Sequence, residues 1–363
     1  MLNFELDQEQ KMLTDAIGRL ANERMRKASR DADEEGHIPP EVAQAGWDLG
    51  LLPTSIPEAY GGFGEYSVTT NVLALEELAF GDLAIATHIL SPNNVAVPVM
   101  LCGTEAQKEA HLPLFCEETM PHTTAAMQEP GLQYDAQNLK TTAVLANDHY
   151  TLNGKKSLVP LADTAETFLI YANENGRTQA FFVPVGAAGL TVGEREKLMG
   201  LKALPTFTVT LDNVIVPVVN RLGGDAGCDI GLILNHSRVA LGAAAVGVAR
   251  AGYEYARDYA KQRIQFGEPI AHRQSIAFML AEMAIDIDGA RMMVWEAAWL
   301  LEQGKDATKE TAVMKHFVDD IVVRVADQAL QILGGYGYIR EYPVELWLRN
   351  ARGFVQWDGL MIV

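Results

Sequence analysis

Two switches of hydrophobic period divide this chain of 363 residues. Apolar residues recur at helical spacing as far as Met120-Pro121, alternate in short runs from there to about Pro217, and return to helical spacing from Gly231 onward. Helical and strand periods cannot share one element, so the chain is expected to be mainly α with a central β domain. The expected units are an N-terminal helical domain over 1–120, a middle antiparallel β domain over 121–220 and a C-terminal four-helix-type bundle over 221–363. In the first, Asp7 is placed to cap an amphipathic helix with apolar positions Met12, Leu13, Ile17, Leu20 and Ala21. Pro39-Pro40 sets the first turn of a helix over 40–49, and further helices are expected over 67–79, 83–101 and 105–116. In the second, alternating runs fall at 149–152, 167–171, 179–183 and 207–211, punctuated by the turn pairs Asn147-Asp148, Asn153-Gly154 and Asn175-Gly176. In the third, segments over 237–262, 274–303 and 309–333 include the small-residue run from Gly242 through Ala245 to Gly247, which lets helices approach closely.

Charge and cysteine usage exclude several classes of function. A formal net charge of −18 argues against binding nucleic acid or inserting at an anionic membrane, since both need clustered Lys and Arg. Any anionic ligand must be met by local cations. Cys102, Cys116 and Cys228 are scattered, with no CxxC and no His pairing, so no metal site and no disulfide framework is indicated. The nearest candidate for a membrane span, Ala84 to Leu101, contains Asn93, Asn94 and two prolines, which exclude a span there, and the chain reads as cytoplasmic.

The densest local signal is at the end. Residues 331–359 read QILGGYGYIREYPVELWLRNARGFVQWDG. Gly334-Gly335 breaks a helical run and opens the backbone to close approach. Asp358 lies between Trp357 and Gly359, and a carboxylate beside an indole is poised for desolvation, the setting of a general base. A helix terminator and a solvated cap explain the same spacing. The whole string, however, resembles the C-terminal signature of the acyl-CoA dehydrogenase family: Gln-Ile-x-Gly-Gly-x-Gly, Glu-Tyr-Pro-x-Glu, Arg-(Asp/Asn)-Ala-Arg, then an acid followed by Gly. It departs at one place, since that family most often has Glu-Gly-Thr where this chain has Asp358-Gly359-Leu360. IPEAYGGFG at 56–64 and CGTEAQKEAHLP at 102–113 are similar to the family's N-terminal helical domain.

The resemblance implies an FAD cofactor and residues to hold it. Gln128-Glu129-Pro130, within the run that ends at Tyr134-Asp135, matches a flavin-ring segment in which the Glu-Pro frame survives and the hydroxyl positions are changed. Gln128 is the ring-binding candidate there. In the next matching element an aromatic is replaced by Leu158 and a hydroxyl by Pro160, each lost hydrogen bond weakening the grip by about 1 kcal/mol. The run Arg263-Ile264-Gln265-Phe266-Gly267 resembles the family's Arg-x-x-Phe-Gly, with Arg263 on the pyrophosphate and Phe266 near the adenine. An arginine suits a diphosphate because its fork makes two charge-assisted bonds. Gln274, Gln331, Gly334 and Gly335 complete the implied set. In the family these groups come partly from a neighbouring subunit, which implies a homo-oligomer, a dimer of dimers, or a heteromer with a related chain.

Asp358 is the catalytic candidate, and Arg238 and Gly359 are the substrate-binding ones. Some relatives place the base immediately before the arginine matching Arg238; that position is Ser237, which cannot act as a base at neutral pH. His236 is given no role. The activity implied is FAD-dependent α,β-dehydrogenation of an acyl-CoA to a 2-enoyl-CoA in fatty acid metabolism, with electrons passed to an electron-transfer flavoprotein. The departures at Gln128, Leu158, Pro160 and Leu360 keep two alternatives: a non-catalytic or half-active subunit of a heteromeric dehydrogenase, and a flavin-free acyl-CoA-binding protein.

Overall fold

The structure, a computed structural model, describes residues 5–354 and 358–363. The expectation attached to the Trp357 indole lies outside them. Asp7 caps α1 (Gln8–Leu20): its carboxylate accepts from the Gln10 amide at 2.8 Å, and the Gln10 side chain accepts from the Asp7 amide at 3.2 Å. α2 (Arg26–Glu35) continues the same rod and ends at Gly36, whose φ of 77° is open to glycine. α3 (Pro40–Trp47) starts on its proline, and α4 (Val68–Gly81) is capped by Ser67. The single helix expected over 83–101 is two, α5 (Leu83–Ile89) and α6 (Asn93–Cys102), bent by 50°. The break falls at Ser91-Pro92, because a proline ring disfavours helical dihedrals in the residue before it. α7 (Glu105–His111) stops short of 116 and continues as 3-10 turns through Pro113.

The middle of the chain forms β1 (Thr123–Ala126), β2 (Thr142–Ala146), β3 (His149–Pro160), β4 (Thr167–Glu174), β5 (Arg177–Pro184), β6 (Leu190–Arg195) and β7 (Thr206–Pro217). They make a seven-stranded sheet in the order β1-β4-β2-β3-β7-β6, with β5 on β4. The sheet is mixed, where an antiparallel one was expected: β1 and β2 both pair with β4 in parallel, and the intervening chain supplies the crossover that such pairs need. Asn147 and Asn175-Gly176 form the expected tight turns, with φ of 58°, 51° and 83°. Asn153-Gly154 does not turn. It lies inside β3 at a bulge against β7, where Gly154 has φ 152° and a Cβ would stand 2.6 Å from Thr141 Oγ1.

The bundle consists of α8 (Ile230–Gln262), α9 (Gln274–Glu302), α10 (Thr308–Leu333) and α11 (Val344–Phe354), with a small hairpin, β8 (Ile264–Gln265) and β9 (Glu268–Pro269), between α8 and α9. α8 begins at Ile230 because Asp229 caps it, before the small-residue period becomes visible. It is the spine of the molecule. A Cβ on Gly247 would stand 2.3 Å from the Glu76 carbonyl oxygen of α4, and one on Gly242 would stand 2.6 Å from Met314 Sδ of α10 and 2.8 Å from Val294 Cγ2 of α9. α8 is long and apolar enough to cross a membrane, yet 89% of its most apolar window is buried inside the fold.

Two buried carboxylates tie the units together. Glu76 on α4 receives Arg250 of α8 at 2.9 Å and Arg291 of α9 at 3.0 Å. Asp33 on α2 is 3% exposed and receives both terminal nitrogens of Arg349 on α11, at 3.0 and 2.8 Å, with Lys202 and Arg340 at 3.4 Å. Asn350, next along the Arg-Asn-Ala-Arg string, accepts the Leu201 amide at 2.7 Å. That string therefore anchors α11 to the other units.

Candidate active site

Asp358 follows α11 on a loop clamped by side chains from three parts of the chain. Gln128 Nε2 donates to the Asp358 carbonyl oxygen at 2.9 Å, the Gly359 amide donates to Ser237 Oγ at 2.7 Å, and Asn94 Nδ2 donates to the Leu360 carbonyl oxygen at 2.7 Å. Gly359 has φ 81°, and a Cβ on it would lie 2.2 Å from Met127 Sδ, so only glycine closes this turn. His236 Nδ1 lies 2.9 Å from the Val363 carbonyl oxygen and 2.8 Å from the Tyr66 hydroxyl, and burial lowers its pKa, which favours the neutral ring. His236 thus anchors the loop's continuation. Ser237, dismissed as a base, positions the residue after Asp358. Gln128, expected at the flavin ring, gives its side-chain amide to the loop backbone.

The loop under Gln128 is itself built on a buried ion pair. Lys156, fully buried, gives its ammonium to Glu129 Oε1 at 2.9 Å and to the Met127 carbonyl oxygen at 3.1 Å. Glu129 also accepts the amides of Lys140 and Thr141 at 2.7 and 2.8 Å. Burial lowers the Lys156 pKa to about 8, while Glu129, against its own desolvation, is held below the usual carboxylate range by Lys156 and these amides. The Glu-Pro frame and the following lysine are thus a support for the site.

Asp358 faces a cavity of ≈ 380 Å³ shared with Tyr134, Arg238, Ala312, Lys315, His316 and Asp319. One carboxylate oxygen, Oδ2, lies 3.7 Å from Arg238 Nη2. The other, Oδ1, and the Tyr134 hydroxyl are both buried and without a hydrogen-bond partner among the described residues. Asp319, one turn of α10 from Lys315, is bonded to its ammonium at 2.6 and 2.7 Å. Burial raises the Asp319 pKa, with the charge of Asp358 adding to the shift against the pull of Lys315. Asp319 is a second acid in the cavity, where the sequence pointed to Asp358 alone. Tyr134 and Asp319 are functional candidates that sequence reasoning missed. The one available signal, for Asp319, was its i,i+4 pairing with Lys315.

A second cavity, of ≈ 410 Å³, gathers Arg263, Gly334 and Gly335 with Tyr336, Ile270 and Ile332. Gly334 has φ 59°, and a Cβ on either glycine would meet nothing within 4 Å, which leaves an open cradle beside the cation. The Arg263 guanidinium stacks 5.3 Å from the Tyr336 ring centroid and has no carboxylate partner among the described residues. Gln331 is exposed on the last turn of α10, where its carbonyl oxygen accepts the Gly334 amide, and Gln274 is the exposed first residue of α9. Phe266, at the tip of the β8–β9 hairpin, is 93% exposed in the left-handed region at φ 54°. An unpaired arginine, an open glycine cradle and a bare ring fit the diphosphate and adenine end of a dinucleotide. At the presumed ring end, the Leu158 amide donates to Glu196 Oε2 at 3.0 Å, and the Pro160 carbonyl oxygen accepts from Thr124 at 2.6 Å. The two cavities lie toward opposite ends of α8. Arg238 and Arg263 are 25 residues apart along it, about 37 Å at 1.5 Å per residue.

Three descriptions of acyl-CoA dehydrogenases match consecutive parts of the chain: the N-terminal domain over residues 7–119, the middle domain over 124–214 and the C-terminal domain over 230–360. An "Acyl-CoA dehydrogenase" of Bacillus subtilis is 36% identical over 98% of this chain and 96% of its own. A "Caffeyl-CoA reductase-Etf complex subunit CarC" of Acetobacterium woodii is 35% identical over 91% of this chain and 88% of its own. The solved structure of butyryl-CoA dehydrogenase from Megasphaera elsdenii superimposes with a TM-score of 0.89 at 33% identity, covering 98% of this chain and 95% of that one.

Proposed function

The chain belongs to the acyl-CoA dehydrogenase family, and from that premise we propose that it oxidises an acyl-CoA thioester to the 2-enoyl-CoA with Asp358 as the base. It is an oxidoreductase that acts on a CH–CH group, and its cofactor is FAD. The observation that carries the assignment of the base is that Asp358 lines a cavity with Oδ2 beside Arg238 and with its buried Oδ1 unpartnered among the described residues. Oδ1 takes the α-proton, Arg238 keeps the carboxylate turned toward the cavity, and Gln128, Ser237 and Asn94 fix the loop that presents it. FAD, when bound, supplies the acceptor for the hydride leaving the β-carbon. Arg263, Gly334, Gly335, Gln331, Gln274 and Phe266 would hold its diphosphate and adenine.

A span of about 37 Å along one rigid helix exceeds the reach of a single extended FAD, so Arg263 and Asp358 of one chain would serve different cofactors. This supports a homo-oligomer in which each cofactor is held across a subunit boundary, as do the bare Phe266 and the 71% exposed Ile285 on α9. Electrons would leave to an electron-transfer flavoprotein, a reading supported by the relative whose name places it in an Etf complex.

The test is anaerobic titration of the purified, FAD-loaded protein with acyl-CoAs of different chain lengths. Bleaching of the flavin is expected; a protein that takes up no flavin, or a flavin that no acyl-CoA bleaches, overturns the reading. Arg263→Ala should weaken FAD binding by roughly 10- to 100-fold, the contribution of hydrogen bonds to a charged group. Full flavin content after gel filtration of that variant would make Arg263 merely structural.

A further inference from the structure

Tyr134 is a substitution with a consequence. Its ring packs beside the apolar cluster around Met127, Leu169 and Tyr171, the residue lines the Asp358 cavity, and its buried hydroxyl has no partner among the described residues. Buried polar groups are seldom left unbonded, and here two of them, a donor and an acceptor, belong to residues that line one cavity and have no partner among the described residues. A ligand in that shared cavity can supply both an acceptor for Tyr134 and a proton for Asp358. Burial, reinforced by the charges of Asp358, Glu129 and Asp135, holds the phenol far above its ordinary pKa. It is therefore an obligate donor at any working pH. Lys315 is bonded to Asp319, and Arg238 faces Oδ2.

A carbonyl with an acidic C–H on the adjacent carbon satisfies both groups at once. Resting on Asp358 as the base, we propose that Tyr134 is a second catalytic residue, whose hydroxyl donates a hydrogen bond to the thioester carbonyl oxygen while Asp358 Oδ1 removes the α-proton. In this half of the reaction the Cα–H bond breaks and its proton goes to Asp358. Its electron pair enters the bond to the carbonyl carbon, and the carbonyl π pair moves onto oxygen. Tyr134 keeps its own proton and stabilises that oxygen, as a preorganised donor does where negative charge develops. No oxidant takes part, so the step is separable from flavin reduction.

The experiment uses the FAD-loaded protein and (methylthio)acetyl-CoA, in which sulfur replaces the β-carbon and no hydride can leave. Exchange of its α-hydrogens with deuterated solvent is followed by mass spectrometry, and its dissociation constant is measured alongside. Tyr134→Phe keeps the ring and removes only the hydroxyl; exchange about 100-fold slower than the parent, with little change in affinity, is the expected result. Parent-like exchange in Tyr134→Phe, with exchange lost in Asp358→Asn, overturns the role of Tyr134 and leaves the base in place. Parent-like exchange in both variants overturns the base and this inference together.

Discussion

Replacing Asp358 with asparagine lowers turnover on an acyl-CoA by on the order of 1,000-fold, while FAD content and acyl-CoA affinity stay at the parental level. The amide keeps the shape that Arg238 and the clamped loop require and loses the basicity of the carboxylate. The family's usual glutamate would carry its oxygens about 1.5 Å further, and a misplacement of 1 Å can cost about 100-fold in rate. The loop is placed to compensate: Gln128, Ser237 and Asn94 hold its backbone, and Gly359 packs against Met127 at a distance no side chain would permit. Asp358→Glu should then overfill a site tuned for the shorter side chain and fall below the parent. Asp319 sets the control. If residual turnover in Asp358→Asn disappears on adding Asp319→Asn, the second acid carries it; undiminished turnover in Asp358→Asn alone removes Asp358 from the mechanism.

Asp33→Ala should destabilise the fold by about 3 kcal/mol, the scale of breaking a buried ion pair from one side. The loss leaves Arg349 without its bidentate partner on α2, although Glu345 still holds the Arg349 Nε at 2.7 Å and itself stays paired with Arg30 of α2. Thermal unfolding at pH 7 checks the size, and a shift under one degree would show the contact to be idle. The pH dependence supplies a second reading. Despite its burial, Asp33 is held below the usual carboxylate range by Arg349 and Lys202. Its contribution is therefore complete above about pH 4 and lost as pH falls through its folded pKa. The parent should lose stability through that acid window, and Asp33→Asn should show a flatter profile there.

What the sequence disclosed followed from how locally each feature is encoded. The Asp7–Gln10 capping box was half legible, because cap and partner stand three residues apart. The Arg263–Gly267 string was legible as a continuous run that needs no fold to interpret. The split between α5 and α6 was missed because apolar content was weighed over the local rule at Ser91-Pro92. Asn153-Gly154 misled for the opposite reason: the dipeptide favours a turn, but the approach of Thr141 uses the glycine as a bulge. No local pattern joins Tyr134, Asp319 and Asp358, which arrive from a β-domain loop, α10 and the chain beyond α11. The loop partners of Ser237 and Gln128 were invisible for the same reason.

The length of α8 has a consequence for inheritance. In the shared arrangement proposed above, a lesion at Arg263 injures the neighbour's chemistry and spares its own Asp358, and a lesion at Asp358 does the reverse. Two silent alleles of this chain would therefore complement one another. In a mixed pair one site collects both defects and the other has none, whereas either allele alone leaves every site broken.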